Sequence, residues 1–567
     1  MLAGPIFSRE AATSPRQLRH YLVRSGYVAA LFVLMYTAAQ AVFGWQQVRN
    51  VGDVARFGSL VFQIFSLVQL SLVLFFALLF CASSVAQEKD RRTLVLLLMT
   101  DLKSHELVLG KLCSSLLIVL VLIGTSAPVF FLVRLLGGVA WEQVGWMLAL
   151  CVAVAFAAAG WGALVAFWRE KTFQTLAISV LGVVGFLGAV EALRAVTGLS
   201  WVSTLNPYRA LLVILDPFAR NGGKIAGQSV AALTALGGIL VVLTVWRLRV
   251  WNPSRTNYLQ PEESIDEDSG VSRVRHRRIW SNPVIWREIR TRAYGRRVQA
   301  IKAAYLLLAG IAVYLLTGTR PGDGLLMNMI TPGGFAFAGL SLLSLLLINA
   351  QAVTALTNER DGKTLELLMA TDISAREFIY GKLGGIAFNT RELIVVPLGL
   401  VAWQASRGVL LWEEFVYVLI GFAVLVFFAA MLGLHSGLTF ESSRAAIANS
   451  LGTLFFLFIG IFIFLMLLVE TSGSFASQLL SFIVFIGLGG IGLWASLTHK
   501  NPSAALTLAA GWLPFVTFYC ITEFLRGGSL SVCLAIVSIY GFTTLAMLVP
   551  AVSTFDVTLD QPTIDKS

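Results

Sequence analysis

The feature of this sequence that most constrains its fold is a succession of apolar runs, most of about 20 residues or more. A run of roughly 20 apolar residues is long enough for an α-helix to cross the hydrocarbon core of a bilayer. Composition agrees, because 57% of the 567 residues are hydrophobic and only 13% are charged. An apolar content this high exceeds what one water-soluble core can bury. The sequence therefore predicts an all-α polytopic membrane protein and excludes a soluble enzyme, a disulfide-rich secreted domain, a coiled coil and a disordered chain.

The predicted spans form two groups on either side of a polar stretch. The first group has six spans and the second has up to eight, of which the run at 477–497 looks like an addition. The total is 14, or 12 if two of the last three runs only dip into the bilayer. The predicted spans are 26–45, 59–86, 107–133, 143–168, 172–193, 225–247, 300–317, 333–357, 378–403, 411–438, 443–469, 477–497, 503–525 and 529–551.

The charges predict the orientation of these spans. The gaps at 87–106, 169–171 and 247–302 are rich in Lys and Arg, and positive loops lie in the cytoplasm. We therefore expect cytoplasmic N- and C-termini in the inner (plasma) membrane of a prokaryote. The net charge of +11 does not indicate nucleic-acid binding, because the aromatic residues lie inside apolar runs.

The two groups share a repeated segment. Residues 85–112 and 356–383 match without a gap at twelve of 28 positions, at a constant offset of 271. The identities include acids, Thr, Gly and Lys, whereas chance similarity of apolar segments would match Leu with Leu. An even number of spans per unit gives both copies the same orientation, so the sequence predicts tandem parallel repeats. The predicted domains are a first unit (1–250), a charged linker (251–281), a second unit (282–553) and a cytoplasmic tail (554–567).

Each copy predicts the same local structure after the second span. An acid–base cluster precedes a short apolar helix, which in the second copy is amphipathic, with Leu365, Leu368 and Met369 on one face. Ser374 and Glu377 form a capping-box pattern at the start of the third span. Such a helix, parallel to the membrane, offers a surface to a soluble partner; the alternative is an interfacial anchor with no further role.

The following Gly-Lys pair predicts a second shared feature. Lys111 and Lys382 each follow a glycine near the predicted edge of the bilayer. A lysine at this depth can extend its charged end to the membrane surface, so we expect both side chains to snorkel.

These residues resemble a known family. The pattern Glu-(Lys/Arg)-Asp-x-x-Thr-Leu-x-Leu-Leu, followed by Glu-x-x-x-Gly-Lys-Leu, is similar to the segment after the second span in ABC transporter permeases of the type 2 exporter class. The Asn-Pro-x-x-x-Arg-Glu stretch that begins at Asn282 resembles their cytoplasmic elbow helix, with Gly4 in place of the Asn in the first copy. The chain departs from the pattern at Val95, where the second copy has Glu366, and at two Asp residues where many relatives have Pro.

The resemblance implies a permease subunit whose two halves form the translocation path of an ATP-driven transporter of the exporter type. Coupling helices at about 90–101 and 361–372 would dock on separate ABC ATP-binding subunits, two copies in all. Because such permeases are typically dimers of six-span chains, this chain resembles a fused dimer. The implied coupling residues are Glu88, Asp90, Thr93, Leu94, Asp101, Glu106, Gly110, Lys111, Glu359, Asp361, Thr364, Leu365, Glu366, Asp372, Glu377, Gly381 and Lys382, and the elbow residues are Arg9, Glu10, Arg287 and Glu288.

The chain itself is not expected to be an enzyme. It contains no Gly-x-x-x-x-Gly-Lys-(Ser/Thr) phosphate-binding loop, so ATP hydrolysis would belong to the partner. We expect no cofactor and no metal, and the expected partners are the ATP-binding subunit and the lipid bilayer. Two alternatives remain, a secondary ion-coupled transporter with parallel repeats and a non-transporting membrane scaffold.

Arg391 and Glu392 lie inside the predicted span 378–403. A charge within a membrane costs about 2.5–3.5 kcal/mol on insertion scales, so it normally faces a cavity or a partner. The pair is a candidate for the translocation path. The alternatives are a charge pair locked between helices and an arginine that reaches the membrane interface, because this helix begins in the cytoplasm.

Overall fold

The structure is a computed structural model. It describes residues 4–13, 18–43, 50–198, 200–216, 221–252, 282–290, 298–317, 330–369, 371, 373–470, 475–499 and 502–560. These residues form helices and no strand, which confirms the all-α membrane fold. Most of the predicted linker (251–281), the last residues of the predicted tail and Asp372 lie outside the described residues, and the Glu366 side chain is also outside them.

The first half of the chain forms helices α1 to α9, with a short 3₁₀ segment before α8. Their bounds are α1 (Gly4–Thr13), α2 (Leu18–Phe43), α3 (Val51–Asp90), α4 (Thr93–Leu98), α5 (Ser104–Leu135), α6 (Trp141–Trp168), α7 (Thr172–Thr197), α8 (Pro207–Leu215) and α9 (Gly222–Trp251).

The second half forms helices α10 to α22. Single π-helical turns, Phe455–Gly460 and Ile536–Tyr540, connect α17 to α18 and α21 to α22 into longer helices. The bounds are α10 (Pro283–Arg290), α11 (Val298–Thr317), α12 (Pro332–Asp361), α13 (Thr364–Met369), α14 (Ala375–Asn389), α15 (Arg391–Ser406), α16 (Trp412–Thr439), α17 (Ser443–Leu454), α18 (Ile461–Glu470), α19 (Phe475–Leu497), α20 (Ala504–Leu525), α21 (Ser529–Ala535) and α22 (Gly541–Asp560).

Within the described ranges, eleven helices are long and apolar enough to cross a membrane, or twelve if the bent pair α14–α15 is one span. Each of the last three predicted runs is long enough to cross. Helices α2 and α11 occupy the first predicted span of each half and are not among the eleven.

One predicted span differs in shape from the structure. The predicted span 378–403 is not one straight helix, because it bends by 55° between α14 and α15. The helices at the predicted elbow positions are short. They are α1, after which the next residues described, from Leu18, already belong to α2, and α10, which covers Pro283–Arg290.

The two halves repeat the same helix boundaries at the offset of 271. This holds for the ends of α3 and α12 and for the starts of four further helix pairs. These pairs are α4 and α13, α5 and α14, α6 and α16, and α7 and α17.

Contacts between the halves are only partly symmetric. Helix α3 packs against α17 as α12 packs against α7, and Phe75 stacks on Phe455 with ring centroids 5.0 Å apart. Helix α19 packs against α2, where Ser481 Oγ donates a hydrogen bond of 2.7 Å to the Thr37 carbonyl. Among the residues described between α7 and α9, the first half has only a 3₁₀ segment and the short α8, where the second half has the long helices α19 and α20.

Candidate functional site

The candidate site comprises two segments, which we name the first repeated turn (residues 88–101) and the second repeated turn (359–372). We name the end of the bundle that holds α1, α4, α10 and α13 the elbow end. In each turn, the residue before the short helix has a left-handed backbone, Arg92 with φ 59° and Lys363 with φ 54°. Such a φ is uncommon outside glycine and reverses the chain sharply. The turn is therefore built in the same way twice.

The threonines of the motif close these turns. Thr93 Oγ1 donates to the Glu88 carbonyl at 3.2 Å, and Thr364 Oγ1 donates to the Glu359 carbonyl at 3.1 Å. Each bond satisfies a carbonyl at the end of the preceding span, which otherwise lacks a helical partner. The predicted threonines thus have a structural role in the turn.

A lysine from the third span lies at the centre of each cluster. Lys382 Nζ lies 2.7 Å from Glu359 Oε1 and 2.6 Å from Glu288 Oε1. Its side chain is only 2% exposed, so the charge needs these partners. Lys382 therefore joins the second span, the elbow helix and the third span.

The first half has the same centre in a more open form. Lys111 pairs with Glu88, and its Nζ lies 3.7 Å from Glu10 Oε1 on the elbow helix. The side chain of Lys111 is 9% exposed. The expectation that both lysines snorkel to the membrane surface is therefore wrong, because glutamates of the elbow and of the second span hold them inside.

The two elbow arginines lie in different surroundings. Arg287 pairs with Glu359 and lies 3.5 Å from Glu288. Arg9 is on the exposed side of α1. Gly381 lets α10 approach, because a Cβ at this position would lie 2.7 Å from Val284 Cβ.

A second set of contacts ties each turn to the next turn of the same half. Thr172 Oγ1 donates to Asp90, and Ser443 Oγ donates to Asp361. These contacts join α3 to α7 and α12 to α17 at the offset of 271. The motif carboxylates therefore face the protein interior, where they position the repeated turns.

The neighbouring cations repeat this connection. Lys89 Nζ donates to the carbonyls of Phe167 and Arg169, at 2.6 and 2.9 Å, and Arg360 Nη1 donates to that of Gly437 at 3.0 Å. The motif includes Lys89 and Arg360 as its (Lys/Arg) position, but it does not predict the carbonyls that they contact. Thr172 and Ser443 lie outside the motif, and the signal that could have found them is a hydroxyl at the same offset of 271.

The third span begins with an acid in both halves. Ser374 and Glu377 form the predicted capping box, with Ser374 Oγ accepting from the Glu377 amide at 3.3 Å and the carboxylate accepting from the Ser374 amide at 3.2 Å. In the first half, Glu106 accepts from the Lys103 amide at 3.0 Å. Both acids therefore fix the end of the repeated turn.

The first repeated turn presents an apolar surface. Leu94 is buried, whereas the side chains of Leu96 and Met99 are 65% and 66% exposed. In the second turn, Leu365 and Leu368 are half-buried against the core, in agreement with the predicted amphipathic helix. Asp101 is exposed at the end of the first turn. Leu96 belongs to the Thr-Leu-x-Leu-Leu part of the motif but is not among the implied coupling residues, and Met99 lies outside the motif.

One ion pair links the two turns directly. Arg91 Nη2 lies 3.3 Å from Asp361 Oδ1, across the boundary between the halves. Arg91 has no identical residue at the offset position, so the repeat did not indicate it.

The other predicted pair lies at the bend between α14 and α15. Glu392 Oε2 lies 2.7 Å from Lys302 Nζ on α11, and Glu392 Oε1 lies 3.2 Å from Arg391 Nε. The Arg391 side chain is exposed and lies over the Phe388 ring. Glu392 therefore forms an ion pair with a neighbouring helix, and a role of Arg391 and Glu392 in the translocation path stays a prediction.

Among the residues that the structure places, no group of three or more His, Cys, Asp or Glu side chains could hold a metal ion. The chemistry of the site is that of ion pairs and hydrogen bonds between helices.

Comparison with known proteins gives one family. Residues 47–246 match the model of the ABC-2 family transporter protein, a range that runs through α3 to α8 and most of α9. No curated protein matches the chain. Members of this family are membrane components of ABC transporters, are not themselves ATPases and associate with ATP-binding subunits. Residues 47–246, which include the first repeated turn but not the second, thus match this family, and this match supports the resemblance of the first turn to ABC-2 type permeases.

Proposed function

We propose that this chain is the membrane subunit of an ATP-driven exporter, with two permease units in one polypeptide. The units are residues 1–250 and 282–553, joined by the linker 251–281 and followed by the tail 554–567. Support comes from the helix boundaries and from the two ion clusters, both of which repeat at the offset of 271. A duplicated ancestral unit accounts for this repetition of structure and chemistry together.

The repeated turns are the docking sites for two separate ABC ATP-binding subunits. The observation that carries this proposal is the exposure of Leu96 and Met99 on a turn that ion pairs fix to two spans and an elbow helix. Exposed apolar residues at a protein surface favour a protein partner. Because the turn is fixed, a displacement of α4 by the partner would be transmitted to α3, α5 and α1.

The elbow end faces the cytoplasm of a prokaryotic cell, and both termini lie on that side. Arg and Lys are concentrated around the repeated turns and the α6–α7 turn, as the positive-inside rule requires. Charged residues there include Lys89, Arg91, Arg92, Lys103, Arg169 and Lys171 in the first half. The α5–α6 connection at the opposite end, residues 136–140, carries no Lys or Arg.

The experiment measures ATP hydrolysis by a co-expressed ATP-binding subunit in lipid nanodiscs with this chain. Replacing Leu96 and Met99 together by Asp should lower the permease-dependent rate by about tenfold or more, since truncating interface anchors commonly costs 2 kcal/mol or more. Val51→Asp is the matched control, because Val51 is also exposed but lies at the opposite end of α3. Equal rates for the double variant and the control would contradict docking at the first turn.

A further inference from the structure

The contact between Arg91 and Asp361 joins the bases of the two short helices. Arg91 lies between the end of α3 and the start of α4, and Asp361 is the last residue of α12, just before α13. Their side chains meet with Nη2 and Oδ1 3.3 Å apart. Any motion that separates α4 from α13 must therefore stretch or break this ion pair.

The two partners are held to different degrees. The Asp361 side chain is 4% exposed and accepts a hydrogen bond from Ser443, so it is fixed to its own half. The Arg91 side chain is 48% exposed. An ion pair with a solvent-exposed partner contributes little to stability. The contact can therefore break and form again without unfolding either half.

Within the described ranges, this ion pair is present once, although its acceptor is present in both halves. At the offset of 271, Asp361 corresponds to Asp90, which Thr172 holds in the same way, but Arg91 corresponds to Gly362. Gly362 has no side chain that could reach Asp90. The second half therefore lacks the cation that would complete a symmetric pair.

Charge gives Arg91 a further role at this boundary. Asp90 and Asp361 lie near enough to repel each other across the two halves. Arg91 pairs with one of these carboxylates, so it offsets part of the repulsion between the halves. Removing its charge would strengthen the repulsion between these two acids, which Lys89 and Lys171 near Asp90 and Arg360 near Asp361 offset only in part.

The geometry points to a single latch, in which Arg91 and Asp361 hold the two repeated turns at a fixed separation in the resting state. The latch opens when the ATP-binding subunits move the turns apart, and this step rests on the proposed function. Because the latch is one-sided, the arginine of the first half controls the separation of both turns.

The test is a distance measurement between the turns by double electron–electron resonance. Spin labels go on Thr100→Cys and Thr371→Cys, which are exposed and correspond at the offset of 271. The full chain is used in nanodiscs, with the five native cysteines replaced. Arg91→Glu should lengthen the mean distance and broaden its distribution about twofold, because it favours a separated state.

Three further variants complete the design. Arg91→Ala should act in the same direction as Arg91→Glu, and Arg91→Lys should keep the parent distribution. Asp90→Asn is the matched control, because it changes the acceptor that has no cation across the boundary; it should not broaden the distribution. Gly362→Arg supplies the missing cation and should narrow the distribution.

Two results would overturn the latch, namely an unchanged distribution in Arg91→Glu or an equal broadening in Asp90→Asn. The proposed function fails by a different result. If a co-expressed ATP-binding subunit with ATP leaves the distance in the parent protein unchanged, the proposed coupling to ATP-binding subunits is wrong. The comparison among the variants would still test the latch.

Discussion

The two repeated turns share one plan but differ in how closely the elbow helix packs. In the second half, a Cβ at Gly385 would lie 2.6 Å from Glu288 Cβ, so only glycine allows this approach of α10 to α14. The first half has Ser114 at that offset. Lys382 is correspondingly more buried than Lys111. The closer approach of α10 accompanies a more buried cluster, because Glu288 and Glu359 are less exposed than their counterparts Glu10 and Glu88.

Lys382→Met should have the largest effect on stability. It removes the buried cation between Glu288 and Glu359 and leaves only the more exposed Arg287 beside them. Breaking a buried ion pair in this way typically costs about 3–5 kcal/mol of unfolding free energy. Lys111→Met should cost only about 1 kcal/mol, because its partners are more exposed and remain hydrated. Unfolding of both variants in mixed micelles gives the comparison. Equal losses would mean that the two clusters do not differ in burial.

Glu392→Val tests a second difference between the halves, which is the bend in the third span. The first half has Val121 at the position equivalent to Glu392, and its third span, α5, is unbroken. The variant leaves Lys302 without its partner in the membrane, at a cost of about 2.5–3.5 kcal/mol on insertion scales. Adding Lys302→Met should recover stability to within about 1 kcal/mol. The measurement is the yield and thermal stability of each variant in detergent. If the double variant is stable but supports no ATP-dependent activity, Lys302 and Glu392 belong to the translocation path.

Gly385→Ser introduces the residue of the first half into the second. The added side chain meets Glu288, so we expect a loss of about 1–3 kcal/mol and a more exposed Lys382. Gly384→Ala is the control, since its Cβ would lie at an ordinary 3.5 Å from Ile285. Labelling of Lys382 by an amine reagent follows the exposure. No change in labelling would contradict the packing explanation.

The smallest expected effects are at the start of the third span. Ser374→Ala removes the hydroxyl that caps α14 and should cost about 1 kcal/mol. Lys103 occupies the equivalent position before α5, and a lysine side chain cannot accept the hydrogen bond. Lys103→Ser should therefore raise the unfolding free energy by roughly 0.5–1 kcal/mol. A lower unfolding free energy in Lys103→Ser would mean that the lysine makes a separate contact at the turn.

Much of this arrangement could be predicted from the sequence because its causes are local. Hydropathy predicts the spans, and the offset of 271 predicts which segments repeat. The Ser374–Glu377 cap depends only on residues three positions apart, and the structure confirms it. These features need no knowledge of how the helices pack.

The remaining features depend on contacts between distant residues. Lys382 looked like a snorkelling lysine because the sequence does not reveal that Glu288, 94 positions away, returns to meet it. The bend after Asn389 has no local signal, since the nearest proline in α15 is Pro397. Arg91 lacks a counterpart in the repeat, so only the packing of the two halves identifies its partner.

Site-specific photocrosslinking to a co-expressed ATP-binding subunit tests the central claim most directly. A photoreactive residue is placed at Thr100, at Thr371 or at Val51, all of which are exposed. The proposal that both repeated turns receive an ATP-binding subunit predicts adducts from Thr100 and Thr371 and none from Val51. Adducts from neither turn, from one turn alone or equally from Val51 would contradict it.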